Sequence, residues 1–223
     1  MSSTVAVVVF PGTNCEHDVA AALGSLGADA DLVWHTTVSL AGYDAVVLPG
    51  GFAHGDYLRP GALARFSPVM QAVEEFAAAG GPVVGICNGF QVLTESGLLP
   101  GALQKNRGLR FICTTVDVEV ASERSPITAG LDIGTTLRLP INHFEGCYTC
   151  DTGTLARLRA EDRIILRYVD NPNGSVDGIA GVSNASGNVV GLMPHPERAC
   201  NPLTGEMDGA ELLGALLSPS RCG

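Results

Sequence analysis

Apolar residues in the first half of the chain come in short unbroken blocks separated by longer amphipathic stretches. Thr4 to Phe10 is a β-branched run closed by Pro11-Gly12. A strand apolar on both faces belongs in a sheet covered on both sides, the parallel α/β arrangement. Cys15 to Leu26 then predicts a helix, with Asn14 as its N-cap and Gly27 as its stop. Leu32–Trp34 and Asp44–Leu48 read as the second and third strands, the third running into Pro49-Gly50-Gly51. Pro68–Ala79 carries Val69, Val73 and Phe76 on one helical stripe and ends at Gly80-Gly81. Pro82–Ile86 is a further apolar strand, and Gly89–Ser96 a helix directly after it.

The second half is richer in strands. Phe111–Val120, Leu137–Ile141, Ile164–Tyr168, Gly178–Val182 and Val189–Met193 fit that pattern, and a helix over Asp208–Leu217 follows. The alternation predicts an α/β fold: a single-domain, doubly wound, mainly parallel central sheet flanked by helices, flavodoxin-like, with extra strands in the second half. With 46% hydrophobic residues, the 223-residue chain can bury one large core, so one domain over 1–223 is expected. Ligands in such sheets bind beyond the carboxyl ends of strands. The residues after Leu48, Ile86 and Met193 therefore come first.

Charge narrows the partners. Against 23 acidic residues stand 13 Lys and Arg, a formal charge of −10, with no basic run to neutralise phosphates; no nucleic acid is expected. Neither a basic segment before an apolar stretch nor a membrane-length apolar run is present, so no membrane partner is expected. The seven cysteines at 15, 87, 113, 147, 150, 200 and 222 are odd in number and scattered, which favours a reducing, cytoplasmic setting.

Candidate chemistry concentrates in three places. Gly85-Ile86-Cys87-Asn88-Gly89 lies where a strand meets a helix, a nucleophile-elbow pattern with sulfur in place of oxygen. The tight turn crowds the flanking positions, which glycine tolerates. A lone cysteine after a strand is ordinarily a core residue; the framing glycines set this one apart. Met193-Pro194-His195-Pro196-Glu197 follows another strand, and its prolines predict an extended path with His195 and Glu197 on one side. Together these give a Cys87–His195–Glu197 triad, with His195 moving protons and Glu197 orienting it. Gly51 and Asn88 offer backbone N–H groups to an oxyanion.

Several features are set aside. Cys147-x-x-Cys150 has no second pair to complete a zinc site. His17, His35, His54 and His143 form no ligand spacing and most read as solvated or capping, so no metal is expected. Cys15 could come near the site, but no neighbour in sequence would activate it. No G-x-x-x-x-G-K-[ST] phosphate loop is present.

These segments resemble the class I (triad) glutamine amidotransferases. Within them, Gly50-Gly51-Phe52-Ala53-His54-Gly55-Asp56-Tyr57-Leu58-Arg59 and Gly85-Ile86-Cys87-Asn88-Gly89-Phe90-Gln91 are similar to the glutaminase subunits of phosphoribosylformylglycinamidine synthase. The resemblance runs from about Val5 to Leu217. It implies L-glutamine as substrate, bound by Gln91 and by Asn142, Phe144 and Glu145 of the segment Asn142-His143-Phe144-Glu145-Gly146, which would line the same pocket. Phe144 departs from the family pattern, which has glycine there. It also implies a synthetase subunit and a small third subunit as partners, faced by Asp56, Tyr57 and Arg59 at the ammonia exit. Cofactors would be absent from this chain, with ATP and Mg²⁺ on the synthetase. Open alternatives are a glutaminase serving another ammonia-using synthase, a PfpI/DJ-1-like cysteine hydrolase, and a non-catalytic flavodoxin-like module.

Overall fold

The computed structural model describes residues 2–203 and 205–218. Cys222 lies outside that range. The strands are β1 Thr4–Val9, β2 Asp29–Trp34, β3 Ala45–Leu48, β4 Val83–Ile86, β5 Ala102–Gln104, β6 Ile112–Val120, β7 Thr136–His143, β8 Cys147–Thr149, β9 Ile164–Tyr168, β10 Ile179–Ser183 and β11 Val189–Leu192. The helices are α1 Glu16–Ser25, α2 Pro68–Ala78, α3 Asn88–Glu95, α4 Thr152–Ala160 and α5 Gly209–Leu217.

Nine strands form one sheet in the order β2-β1-β3-β4-β11-β10-β9-β6-β7. From β2 to β11 every neighbour is parallel; from β11 to β7 every neighbour is antiparallel. The parallel half is the doubly wound unit expected from the alternation, and the strand-rich second half extends the same sheet. Burial explains the division. β3, β4 and β11 are covered throughout, as parallel strands between helical layers must be. β7 alternates exposed and buried positions at its beginning, as an edge strand with one wet face does. A continuous apolar core runs from Val5 on β1 to Val190 on β11 and on to Leu139 of β7.

Three elements are absent from the sequence reading: β5 and β8, which pair in a small second sheet, and α4. The start of α1 also differs from expectation. Cys15, not Asn14, occupies the cap, and it makes no side-chain capping bond. The amides of Asn14 and Cys15 instead donate to the Gly50 carbonyl, at 3.5 and 3.2 Å, tying the start of α1 to the end of β3. Among the described residues, no helix is long and apolar enough to cross a membrane.

Candidate active site

Cys87 joins β4 to α3 with φ 51° and ψ −103°, a conformation that side-chain-bearing residues rarely adopt and that costs on the order of 1–3 kcal/mol. The glycines on either side are sterically required. A Cβ on Gly85 would lie 2.6 Å from Leu93 Cδ1 and 2.7 Å from the Gly89 carbonyl carbon; one on Gly89 would run into the Leu48 carbonyl. The turn is closed by the Gln91 amide donating to the Cys87 carbonyl at 3.2 Å, and anchored by the Cys87 amide on the Leu192 carbonyl at 2.8 Å.

That second bond leads to the partner segment. β11 lies beside β4 with Leu192 in register with Ile86, so the chain leaving each strand emerges side by side. His195 is 2% exposed, its amide held by the Pro140 carbonyl at 2.8 Å and its Nδ1 2.7 Å from Glu197 Oε1. The expected extended path is not what holds this pair together. Pro196–Ala199 forms a 3₁₀ turn with His195 at its N-cap, and the turn folds Glu197 back onto the ring. Burial alone would push the imidazole down. The charges of Glu197 and Cys87, with the Cys15 and Cys87 sulfurs beside the ring, outweigh it and hold His195 well above the usual histidine range.

The end of β3 closes the third side. A Cβ on Gly50 would lie 2.8 Å from His195 Cε1 and 3.5 Å from Cys87 Cβ, so all three residues meet there. Gly51 has φ +144°, and a Cβ on it would strike Asn14. The isolated bridge between Thr13 and Gly51 is made by the amides of Asn14 and Phe52, which leaves the Gly51 N–H uncommitted to it. Asn88, first residue of α3, likewise has no intrahelical acceptor for its N–H. Its buried side chain has a role the sequence reading did not assign. Oδ1 accepts from the Ala53 amide at 2.9 Å, and Nδ2 donates to Asp56 Oδ1 at 3.1 Å and Gln91 Oε1 at 2.8 Å. One amide thus ties the loop after Gly51 to the nucleophile helix.

These groups line a cavity of about 360 Å³. Gln91, Asn142, Phe144 and Glu145 form part of its wall. Gln91 Nε2 donates to the Glu145 carbonyl, and Phe144 stands over the rim with Lys105 Nζ 5.9 Å from its ring centre. Of the three residues expected toward a partner, Tyr57 is 71% exposed and Arg59 is exposed in a two-pronged pair with Glu95 at 2.7 and 2.6 Å. Asp56 turns inward instead; burial raises its carboxyl to about 6 against the lowering hydrogen bond from Asn88.

Two residues set aside as chemistry also line the cavity, His143 within the segment expected there. His143 is buried, not solvated: β7 carries it inward, Nδ1 meets Asn106 Oδ1 at 3.1 Å, and burial followed by the His195 charge lowers it to about 4. Cys15 is 3% exposed, and Arg198, on the turn after His195, donates to its sulfur at 3.2 Å. The neighbour that sequence adjacency did not supply comes from 183 positions away.

The CobB/CobQ-like glutamine amidotransferase domain matches residues 2–212. The chain belongs to this family. The amidotransferase is 57% identical, over 96% of its length and the whole of the relative, to phosphoribosylformylglycinamidine synthase subunit PurQ of Parasynechococcus marenigrum. It is 55% identical to the subunit of that name from Rubrobacter xylanophilus, over 97% of this chain and 99% of the relative. Among solved structures it is similar to a chain of PurLQS from Thermotoga maritima, at 42% identity and TM-score 0.90, covering 97% of this amidotransferase and 98% of that chain. A second glutamine amidotransferase of Thermotoga maritima shares the fold at 19% identity and TM-score 0.58, over 88% of this chain and 77% of the other.

Proposed function

We propose that this amidotransferase is the glutaminase subunit of a phosphoribosylformylglycinamidine synthase, working in purine biosynthesis in the cytoplasm. It hydrolyses L-glutamine and passes ammonia to a synthetase subunit, joined by a small third subunit. The synthetase converts formylglycinamide ribonucleotide to the amidine, and ATP and Mg²⁺ belong to that partner. The observation that carries the reading is the strained Cys87 turn set one strand away from the His195–Glu197 pair. The end-to-end similarity to PurQ subunits and to PurLQS selects this synthase over others on the same architecture. The His195–Glu197 pair also weighs against a PfpI/DJ-1-like hydrolase.

In this mechanism the Cys87 sulfur attacks the side-chain amide carbon of glutamine, its proton resting on His195. The N–H groups of Gly51 and Asn88 receive the oxyanion, a contribution of about 3–4 kcal/mol per donor. His195 passes its proton to the leaving nitrogen, and ammonia departs from the thioester. Water then gives a proton to His195 and its oxygen to the acyl carbon, releasing glutamate and the thiol. Glu197 holds Nδ1 so that Nε2 does this work. Gln91, Asn142, Phe144 and Glu145 shape the amino-acid end of the pocket. Exposed Phe52, Tyr57, Leu58 and Arg59 at its rim suit a synthetase surface.

Replacing Cys87 by Ala in the assembled synthase tests the reading. Glutamine-dependent product formation should disappear while synthesis from free ammonia continues. Near-normal glutaminase turnover in Cys87→Ala would overturn the nucleophile assignment.

A further inference from the structure

Two histidines line the cavity, and a different kind of group holds the Nδ1 of each. His195 Nδ1 meets a carboxylate, Glu197 Oε1 at 2.7 Å; His143 Nδ1 meets a carboxamide, Asn106 Oδ1 at 3.1 Å. Asn106 is fully buried, and three backbone groups pin its amide. Nδ2 donates to the carbonyls of Arg110 at 2.9 Å and His143 at 3.0 Å, while Oδ1 accepts from the Gly146 N–H at 3.2 Å. With the oxygen fixed in that place, the proton between it and the ring belongs to His143 Nδ1. Nε2 keeps its lone pair, buried and without a hydrogen-bond partner among the described residues. Gly146 packs directly on the ring, and a Cβ there would run into it.

We propose that Asn106 is a positioning residue that keeps His143 neutral, so that His195 alone carries the proton of the glutaminase reaction. A carboxamide accepts the Nδ1–H of an imidazole but brings no charge to stabilise an imidazolium; the carboxylate of Glu197 brings one. Protonation of His143 Nε2 would bury a charged N–H with no acceptor. The two rings sense each other: burial, then the charge of His195, lowers His143 to about 4. The interaction is mutual, so an imidazolium at 143 would resist transfer of the Cys87 proton to His195. Lys105, Arg107 and Arg110 flank Asn106, Glu145 follows His143 on its own segment, and Asp56, Arg59, Cys87 and Arg198 share the cavity wall. The charge that acts on the His143 ring is that of His195. Asn106 stands 37 positions from His143, which is why neither residue announces the other in the sequence.

The effect on turnover rests on His195 being the acid/base; the place of the proton on His143 does not, and the two are measured separately. Imidazole nitrogen NMR of the full chain should show His143 neutral with Nδ1 protonated, and still neutral down to about pH 5. A proton on Nε2 instead, or titration near the usual 6.5, would overturn the proposal with no variant needed. In Asn106→Asp the new carboxylate should raise the His143 midpoint by about two pH units. In the assembled synthase that variant should gain an acid limb absent from wild type. Its kcat/KM for glutamine should fall about tenfold per pH unit below the new midpoint, while ammonia-dependent turnover follows the wild-type profile and reports assembly. Adding His143→Asn to Asn106→Asp should abolish the limb. Asn106→Ala, which frees the ring without adding charge, should show both neutral tautomers of His143 by NMR. An unaltered His143 signal in Asn106→Ala, an Asn106→Asp profile matching wild type, or a limb that survives loss of the ring would each sink the proposal. Glutamine-dependent turnover that survives Cys87→Ala would sink the functional reading instead, and the NMR signals would still decide what Asn106 does.

Discussion

Gly89 on the nucleophile helix and Leu48 at the end of β3 are in backbone contact, with no room for even a methyl group between them. The contact sets how closely α3 approaches the sheet and therefore where Cys87 stands. Gly89→Ala should cost about 3 kcal/mol or more by overpacking, since backbone rather than a flexible side chain is in the way. Thermal unfolding should show the loss, and the soluble fraction should lose glutaminase activity.

Asn88 carries three hydrogen bonds between α3, the loop after Gly51 and Gln91. Asn88→Ala should destabilise the fold by about 2–3 kcal/mol, near 1 kcal/mol per bond. Amide hydrogen exchange should rise locally at Ala53 and its neighbours, and kcat/KM for glutamine should fall at least about tenfold. Unchanged exchange at Ala53 would show that another contact holds the loop.

Glu197→Gln removes the carboxylate charge that opposes burial at His195. Because that charge raises the folded-state value, its stabilising contribution is fully present below the unfolded value of 6.5 and is lost as pH rises through the folded one. The stability gap between wild type and Glu197→Gln should therefore be widest between about pH 5 and 6.5 and narrow at alkaline pH. Denaturant titrations across that range measure it. Glutaminase kcat should drop about a hundredfold or more, since the ring loses its orientation.

Two cavity residues should pull acid stability in opposite directions. His143, lowered to about 4, makes the protein lose stability as pH falls from 6.5, because only the unfolded chain takes up the proton. Asp56, raised to about 6, does the reverse as pH falls toward 3.8. Asp56→Asn should be more stable than wild type at pH 7 and should uncover the His143 loss, about 3 kcal/mol between pH 6.5 and 4. A pH series of unfolding curves for both proteins would show two parallel profiles if this opposition were absent.

What could be read from the sequence was local. The Cys87 turn is legible because glycine at 85 and 89 is a steric requirement of five consecutive residues. Apolar blocks at 4–10, 44–48, 82–86 and 189–193 identify the parallel half because buried strands need no alternation. His195 and Glu197 were recognisable from the short Pro-flanked motif, but their geometry was not. Proline at 196 suits the first turn of a 3₁₀ segment as well as an extended chain. Helix α4 escaped because only Thr154 and Leu158 are buried along it; its one clear signal was Asp151, which accepts from the Thr154 amide at 2.9 Å. Cys15 and Arg198 reach the cavity from separate places in the chain, and no pattern of neighbours announces their contact.

The pairing of Ile86 with Leu192 has a further implication. Cys87 and the His195 segment therefore leave the sheet one inter-strand spacing apart, about 4.8 Å in any sheet, before the Met193–His195 stretch places the ring. Exposed rim side chains such as Tyr57 and Leu58 could be exchanged to fit a different acceptor enzyme without retuning the hydrolytic pair beneath them.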